Sequence, residues 1–142
     1  MTIPDERYSR GIFALNHAPK LLLATTDIGL LCYWILTAIG LISVGKDPLL
    51  LAWNWSFVPL DALAIAAGLL WSALPRDRRW SVPLFIAALA LTHAAGLMAI
   101  SFFALWGTWD WSWWVVDVWL AVMPLILATM YIPKHAHWTD RN

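Results

Sequence analysis

The chain has 142 residues, of which 61% are hydrophobic and 13% are charged, and its formal net charge is zero. A soluble domain has about a quarter of its residues charged, so this composition excludes an ordinary soluble domain and indicates lipid around most of the chain. The zero net charge gives no basic field for nucleic acid. The single cysteine, Cys32, excludes an internal disulfide and a thiolate metal cage.

Four apolar stretches are long enough to cross a bilayer, since about twenty helical residues span roughly 30 Å of hydrocarbon. Their predicted bounds are 21–44, 49–74, 80–105 and 111–132. Segments that contain charges, proline or glycine separate them. We expect Pro59 and Pro124, inside the second and fourth spans, to kink or locally open those helices and to expose backbone carbonyls.

Lys and Arg residues lie mostly at one end of the predicted spans. Only Lys46 lies at the other end. The remaining eight are in the N-terminal segment, the middle loop and the tail, namely Arg7, Arg10, Lys20, Arg76, Arg78, Arg79, Lys134 and Arg141. Because cytoplasmic loops are enriched in Lys and Arg, both termini are predicted to be cytoplasmic.

The loops between the spans are short, which favours antiparallel neighbouring helices. The predicted fold is therefore all-α, a four-helix transmembrane bundle with up-down-up-down topology. Residues 1–20 form an N-terminal segment that is either interfacial or loose, 21–132 form the membrane domain, and 133–142 form a cytoplasmic tail.

Each predicted span contains one ionisable side chain at membrane depth: Asp27, Asp61, His93 and Asp117. Such groups cost several kcal/mol in lipid and normally face the bundle interior. Three carboxyl groups and one imidazole cannot all be neutralised by pairing, so we expect some carboxyls to be protonated and to act as Brønsted acids. The alternative for each residue is a purely structural hydrogen bond between helices, which contributes about 0.6 kcal/mol.

The chain contains twelve tryptophans, and most of them cluster towards the predicted outer end of the spans. An aromatic belt at the membrane interface is one explanation. A cavity lining is the other, because indole faces bind cations and carbocations. The candidate substrate-binding residues are Tyr33, Trp34, Trp53, Asn54, Trp55, Phe57, Trp113 and Trp114.

No metal and no cofactor is predicted. One membrane histidine, His93, cannot provide bis-histidine ligation of a haem, and the carboxylate–histidine helix motifs of di-iron bundles are absent. His135 and His137, in or near the tail, are typical of solvated side chains.

Several short motifs resemble the YvaD-like group of small four-helix bacterial membrane proteins. They are TDIG at 26–29, YW at 33–34, AWNWSF at 52–57, PLD at 59–61 and SWW at 112–114. The similarity runs through residues 21–132, and the WNWSFxPLD string is its most specific part. The resemblance implies a bacterial plasma membrane and no settled activity.

The architecture, with its buried acids and aromatics, also resembles the small integral-membrane terpene cyclases of bacterial indole-terpenoid pathways. That resemblance implies protonation of an alkene or epoxide in a prenylated, lipid-soluble substrate, followed by cyclisation. Asp61 is our candidate for the acid because it lies near mid-depth. Asp27 or Asp117 would tune it or take the final proton, and His93 would relay protons.

Two other hypotheses remain open. The first is a proton-coupled exporter of hydrophobic cations, in which Asp27 alternates between proton and cargo. The second is a structural accessory subunit whose polar residues and tryptophans contact a partner. Four helices of this size form either a complete pocket or half of the pocket of a homodimer.

Overall fold

The structure is a computed structural model that describes residues 6–75, 79–107 and 110–135, with side chains only between residues 18 and 130. Its helices are α1 (Glu6–Ala38), α2 (Pro48–Ser56), α3 (Val58–Ala73), α4 (Ser81–Trp106) and α5 (Trp111–His135). Four segments are long and apolar enough to cross a membrane: Ala18–Ala38, Pro48–Ala73, Ser81–Trp106 and Trp111–Met130. The predicted all-helical fold with four such spans is confirmed.

Some predictions concern parts of the chain outside this description. They include most of the charged side chains used for the orientation, the two tail histidines, and the interfacial character of the N-terminal segment. The side chains concerned are those of Arg7, Arg10, Arg76, Arg78, Lys134, His135, His137 and Arg141.

The first span ends at Ala38, six residues before the predicted end at 44. Gly40 has a φ of +77°, which glycine adopts without a Cβ clash. The Gly40 N–H donates to the Thr37 carbonyl at 3.1 Å, and the Leu41 N–H donates to the Leu36 carbonyl at 2.9 Å. This left-handed turn satisfies the last carbonyls of the helix, so the apolar residues after it do not extend α1.

The second span is divided at Phe57 into α2 and α3, as the prediction of an interruption at Pro59 requires. Pro59 lies in the first turn of α3, where its missing N–H has no helical partner to lose. The span begins at Pro48, and the Asp47 carboxylate accepts hydrogen bonds from Leu49 N (2.8 Å) and Leu50 N (3.2 Å). This N-cap fixes the start of α2.

The helices pack in a chain of contacts, α1 on α3, α3 on α4 and α4 on α5, whereas α1 and α5 touch at few points. One end of the bundle is filled by a set of buried side chains that we term the packed core: Leu23, Ala67, Trp71, Phe85, Ala88, Leu89, Met123 and Leu127. Large apolar side chains such as Val115, Leu125 and Leu105 are exposed on the outside, as lipid contact requires. The other end of the bundle is not filled.

Candidate functional site

A cavity of about 610 Å³ lies between the helices at the end of the bundle away from the packed core. All four spans contribute to its wall, and most of the wall is apolar or aromatic. Its aromatic residues are Tyr33, Trp34, Trp53, Phe57, Phe103, Trp113 and Trp119. Its polar residues are Thr25, Thr26, Asn54, Asp61, Ser112 and Asp117. The volume suits a ligand of drug or lipid size.

The cavity opens between α1 and α5. Every exposed residue of its wall is on one of these two helices, among them Gly29, Val116 (50% exposed) and Trp119 (46% exposed). A Cβ added at Gly29 would meet nothing within 4 Å. A hydrogen bond from Trp119 Nε1 to Thr26 Oγ1, 3.2 Å long, crosses the gap. The opening therefore lies within two membrane spans and faces lipid.

Asp61 lies in the first turn of α3, lines the cavity and is only 5% exposed. Its Oδ2 accepts a hydrogen bond from Trp34 Nε1 at 2.9 Å. Its Oδ1 is buried and has no hydrogen-bond partner among the described residues. The indole therefore fixes the orientation of the carboxyl group and leaves its other oxygen without a partner among the described residues.

Asp117, on α5, is a second buried carboxyl in the cavity wall. It lies close enough to Asp61 for the two groups to interact electrostatically, and its Oδ2 has no partner within the described part of the chain. None of the described residues that line the cavity is Lys, Arg or His. Two ionised carboxylates here would repel each other without a compensating cation.

Tyr33 and Asn54 form a second polar contact in the same wall. The Tyr33 hydroxyl donates to Asn54 Oδ1 at 2.8 Å. Asn54 is 5% exposed, and its Nδ2 has no partner among the residues described.

Aromatic rings surround these groups in edge and stacked arrangements. Tyr33 meets Trp34 and Trp113 edge-on, with centroids 5.1 and 6.0 Å apart. Trp53 stacks on Phe102 at 4.0 Å. The π-faces and ring edges of these side chains provide an apolar wall that also interacts with cationic charge.

Two of the predicted aromatic residues do not line the cavity. Trp55 lies behind the wall and contacts Trp34, with ring centroids 5.8 Å apart. Trp114 is half-buried on α5, outside the wall.

Asp27 is buried but does not line the cavity. It is 1% exposed and packs against Gly68 of α3, where any Cβ would collide with the carboxyl group. Its Oδ2 has no hydrogen-bond partner in the described residues. Asp27 is therefore not among the carboxyls that border the cavity, although the scheme drawn from the sequence has it tune Asp61 or take the final proton.

His93 is also outside the cavity wall. Its Nδ1 lies 2.6 Å from the Ala121 carbonyl of α5. Because a carbonyl only accepts, Nδ1 carries the hydrogen in this bond. Ala121 lies one turn before Pro124, and α5 continues through that proline as one helix. The imidazole is thus bonded to backbone and not to any of the three carboxyls.

Several residues of the wall were not anticipated from the sequence, including Thr26, Ala95, Ala99 and Phe103. The last three are spaced four residues apart on α4, so they share one helix face. Two small side chains on that face leave the volume that the cavity occupies. The four-residue spacing of these side chains could have identified this face of α4 as part of the wall. It was missed because none of the three residues is ionisable.

At the rim, Asp110 precedes α5. Its Oδ1 accepts from Ser112 N at 2.9 Å and from Ser112 Oγ at 2.6 Å. These hydrogen bonds lower the pKa of the Asp110 carboxyl, because they favour its ionised form.

Comparison with known proteins gives a family but no activity. A family model described as a family of unknown function (DUF5360) matches residues 19–138. The uncharacterised protein YvaD of Bacillus subtilis (strain 168) is 37% identical over 123 residues, which cover 81% of this chain and 92% of that protein. No solved structure matches.

The matches confirm the YvaD-like resemblance and give no support to the resemblance to terpene cyclases. Together with the four apolar spans, they make the chain a multi-pass membrane protein with a bacterial relative. The chain belongs to the DUF5360 family.

Proposed function

We propose that the cavity binds a prenylated molecule dissolved in the bilayer and that Asp61 protonates it to start a cyclisation. The observation that carries this proposal is the Asp61 carboxyl group. It is buried in an aromatic wall, oriented by Trp34, and has a second oxygen without a partner in the described residues. An acid kept out of water next to π-faces is what carbocation chemistry requires.

The proposed reaction uses the two cavity carboxyls as an acid and a base that share one proton. Asp61 transfers its proton from Oδ1 to an alkene carbon or an epoxide oxygen, and the π-bond or C–O bond breaks to leave a carbocation. A second alkene of the substrate attacks that cation and closes a ring. Asp117 then removes a proton from a carbon next to the new cation, so the product is an isomer of the substrate.

Asp27 and His93 have no direct part in this scheme. Asp27 is enclosed against Gly68, and His93 donates to the Ala121 carbonyl. We assign both to helix packing, which replaces the tuning and relay roles considered from the sequence.

We also propose the up-down-up-down topology, with both termini cytoplasmic and the protein in the bacterial plasma membrane. Contact pairs support the antiparallel register of the first two spans: Lys20 with Leu74, Asp27 with Gly68, and Trp34 with Asp61. Residue numbers rise on one helix as they fall on the other. The excess of Lys and Arg at one end supports the orientation.

The test is to incubate membranes containing the protein with a farnesylated indole or its terminal epoxide and to look for a cyclic isomer. We expect Asp61→Asn to abolish product formation, because the amide cannot donate the proton. Asp27→Asn is the matched control, since it changes an equally buried carboxyl that lies outside the cavity, and it should retain activity. No product from a panel of prenylated substrates, or equal loss in both variants, would refute the proposal.

A second candidate is proton-coupled export of hydrophobic cations. The observation that favours it is the pair of carboxyls in a wall whose described residues include no basic side chain. Asp61 and Asp117, not Asp27, would then exchange a proton for cargo. We expect proton release when tetraphenylphosphonium is added to detergent-solubilised protein, and its loss in Asp61→Asn. The accessory-subunit and homodimer hypotheses stay predictions.

A further inference from the structure

The contact between Tyr33 and Asn54 indicates which hydrogen-bonding group a ligand of the cavity carries. Both side chains belong to the wall. Since the Tyr33 hydroxyl donates to Asn54 Oδ1 at 2.8 Å, the amide is turned so that its oxygen is occupied and its Nδ2 is left as a donor. Nδ2 is buried and has no acceptor among the described residues.

A buried donor without an acceptor destabilises a protein, because it loses its hydrogen bonds to water and gains none in return. Native proteins rarely retain such a group unless something else satisfies it. The aromatic residues of the wall, such as Trp53 and Phe57, offer no strong acceptor. The free carboxyl oxygens of Asp61 and Asp117 make no hydrogen bond to this Nδ2. We therefore look to a molecule bound in the cavity for this acceptor.

The position of this donor relative to Asp61 shows that the two side chains contact different parts of a ligand. Asn54 lies on α2 and Asp61 on α3, on either side of the break at Phe57. They are oriented by different donors, Asn54 by the Tyr33 hydroxyl and Asp61 by the Trp34 indole. The acceptor that Asn54 bonds is therefore a different group from the one that Asp61 protonates.

We propose that the substrate is a prenylated compound whose head group carries a neutral oxygen acceptor, such as a quinone carbonyl, bonded by Asn54 Nδ2 while the isoprenoid tail reaches Asp61. The inference rests on the proposed function for the role of the tail. It narrows the substrate class, because a prenylated hydrocarbon and a phosphonium cation have no acceptor to offer. Tyr33 acts as a positioning residue that holds the amide in the donating orientation.

The test compares two ligands that differ only in the head group, farnesylated benzoquinone and farnesylated benzene. Their affinities for the full chain in lipid nanodiscs are measured by displacement of an environment-sensitive fluorophore. We expect the wild type to bind the quinone about five- to tenfold more tightly, the usual value of one hydrogen bond. In Asn54→Leu this ratio should fall to about one.

Tyr33→Phe provides a second variant, which carries the test if Asn54→Leu does not fold. It keeps the aromatic ring but frees the amide of Asn54 to rotate, so the affinity ratio should fall. Ser56→Ala is the control, because Ser56 is an exposed neighbour that bonds the Trp53 carbonyl. It should leave the ratio as in the wild type.

An unchanged ratio in Asn54→Leu and Tyr33→Phe, or no preference in the wild type, would overturn the inference. The ratio is an equilibrium measurement that needs no turnover. A preference that depends on Asn54, in a protein that forms no cyclic product, would refute the enzymatic proposal and keep this one. Cyclic product from both ligands at equal rates would support the enzymatic proposal and refute the role of the head-group acceptor.

Discussion

The two sides of α5 meet their neighbours in opposite ways. Towards α4, Gly96 lies so close that a Cβ would be 2.5 Å from Ala121 N and 2.7 Å from the Asp117 carbonyl oxygen. Towards α1, Gly29 faces open space, and Trp119 reaches Thr26 through one hydrogen bond. The same helix thus forms a fixed seam on one side and one wall of an opening on the other.

The buried aspartates differ in a parallel way. Asp27 is enclosed against Gly68 next to the packed core, whereas Asp61 and Asp117 border a cavity. All three are buried, so burial alone does not identify a functional carboxyl. What separates them is whether a ligand has room to approach.

The largest effect is expected from filling the closed seam. Gly96→Ala should destabilise the protein by about 1–3 kcal/mol, because the methyl group meets backbone that cannot move aside. Gly29→Ala is the matched control, and there the methyl group has space. Thermal unfolding in detergent should show a clear fall in Tm for the first variant and none for the second. Equal Tm values would show that the seam is looser than described.

A smaller effect, on ligand entry and not on stability, is expected from blocking the opening. The reagent is an aromatic diazirine dissolved in the bilayer, which labels the residues that line the cavity. Gly29→Trp should slow this labelling about tenfold or more, which corresponds to an increase of at least about 1.4 kcal/mol in the barrier to entry. Ile28→Trp is the control, since Ile28 is exposed beside Gly29 but does not line the cavity. Equal labelling of both variants would argue against entry between α1 and α5.

The smallest effect is expected at the rim. Hydrogen bonds from Ser112 lower the pKa of Asp110 in the folded state, so its stabilisation is present above the unfolded pKa and is lost as pH falls through the folded pKa. The Tm difference between wild type and Asp110→Ala should therefore shrink as pH is lowered from neutral to about 3. Asp110→Asn still accepts hydrogen bonds but does not titrate. The Tm difference between Asp110→Asn and Asp110→Ala should therefore not change with pH. A pH-independent difference would contradict the cap.

The sequence predicts the membrane spans well because lipid imposes length and composition on every residue of a span. It misplaces the end of α1, because the apolar residues continue past Gly40 whereas the helical backbone ends at Ala38. Asn54 and Asp61, both candidates from the sequence, line the cavity on either side of the break at Phe57.

The grouping of the four ionisable residues was harder to predict. Helical spacing gives the face of a side chain, but not what the neighbouring helix presents at the same depth. Opposite Asp27 that neighbour is Gly68, and beside His93 it is the Ala121 carbonyl. Both depend on the packing between helices, which periodicity within one helix does not contain.

Infrared difference spectroscopy tests the central claim, that Asp61 carries a proton towards a ligand in the cavity and Asp27 does not. Adding farnesylated benzoquinone to the protein in nanodiscs should shift the C=O stretch of a protonated carboxyl. We predict that this band disappears in Asp61→Asn and persists in Asp27→Asn. A band that survives in Asp61→Asn, or one that is lost in Asp27→Asn, would contradict the assignment.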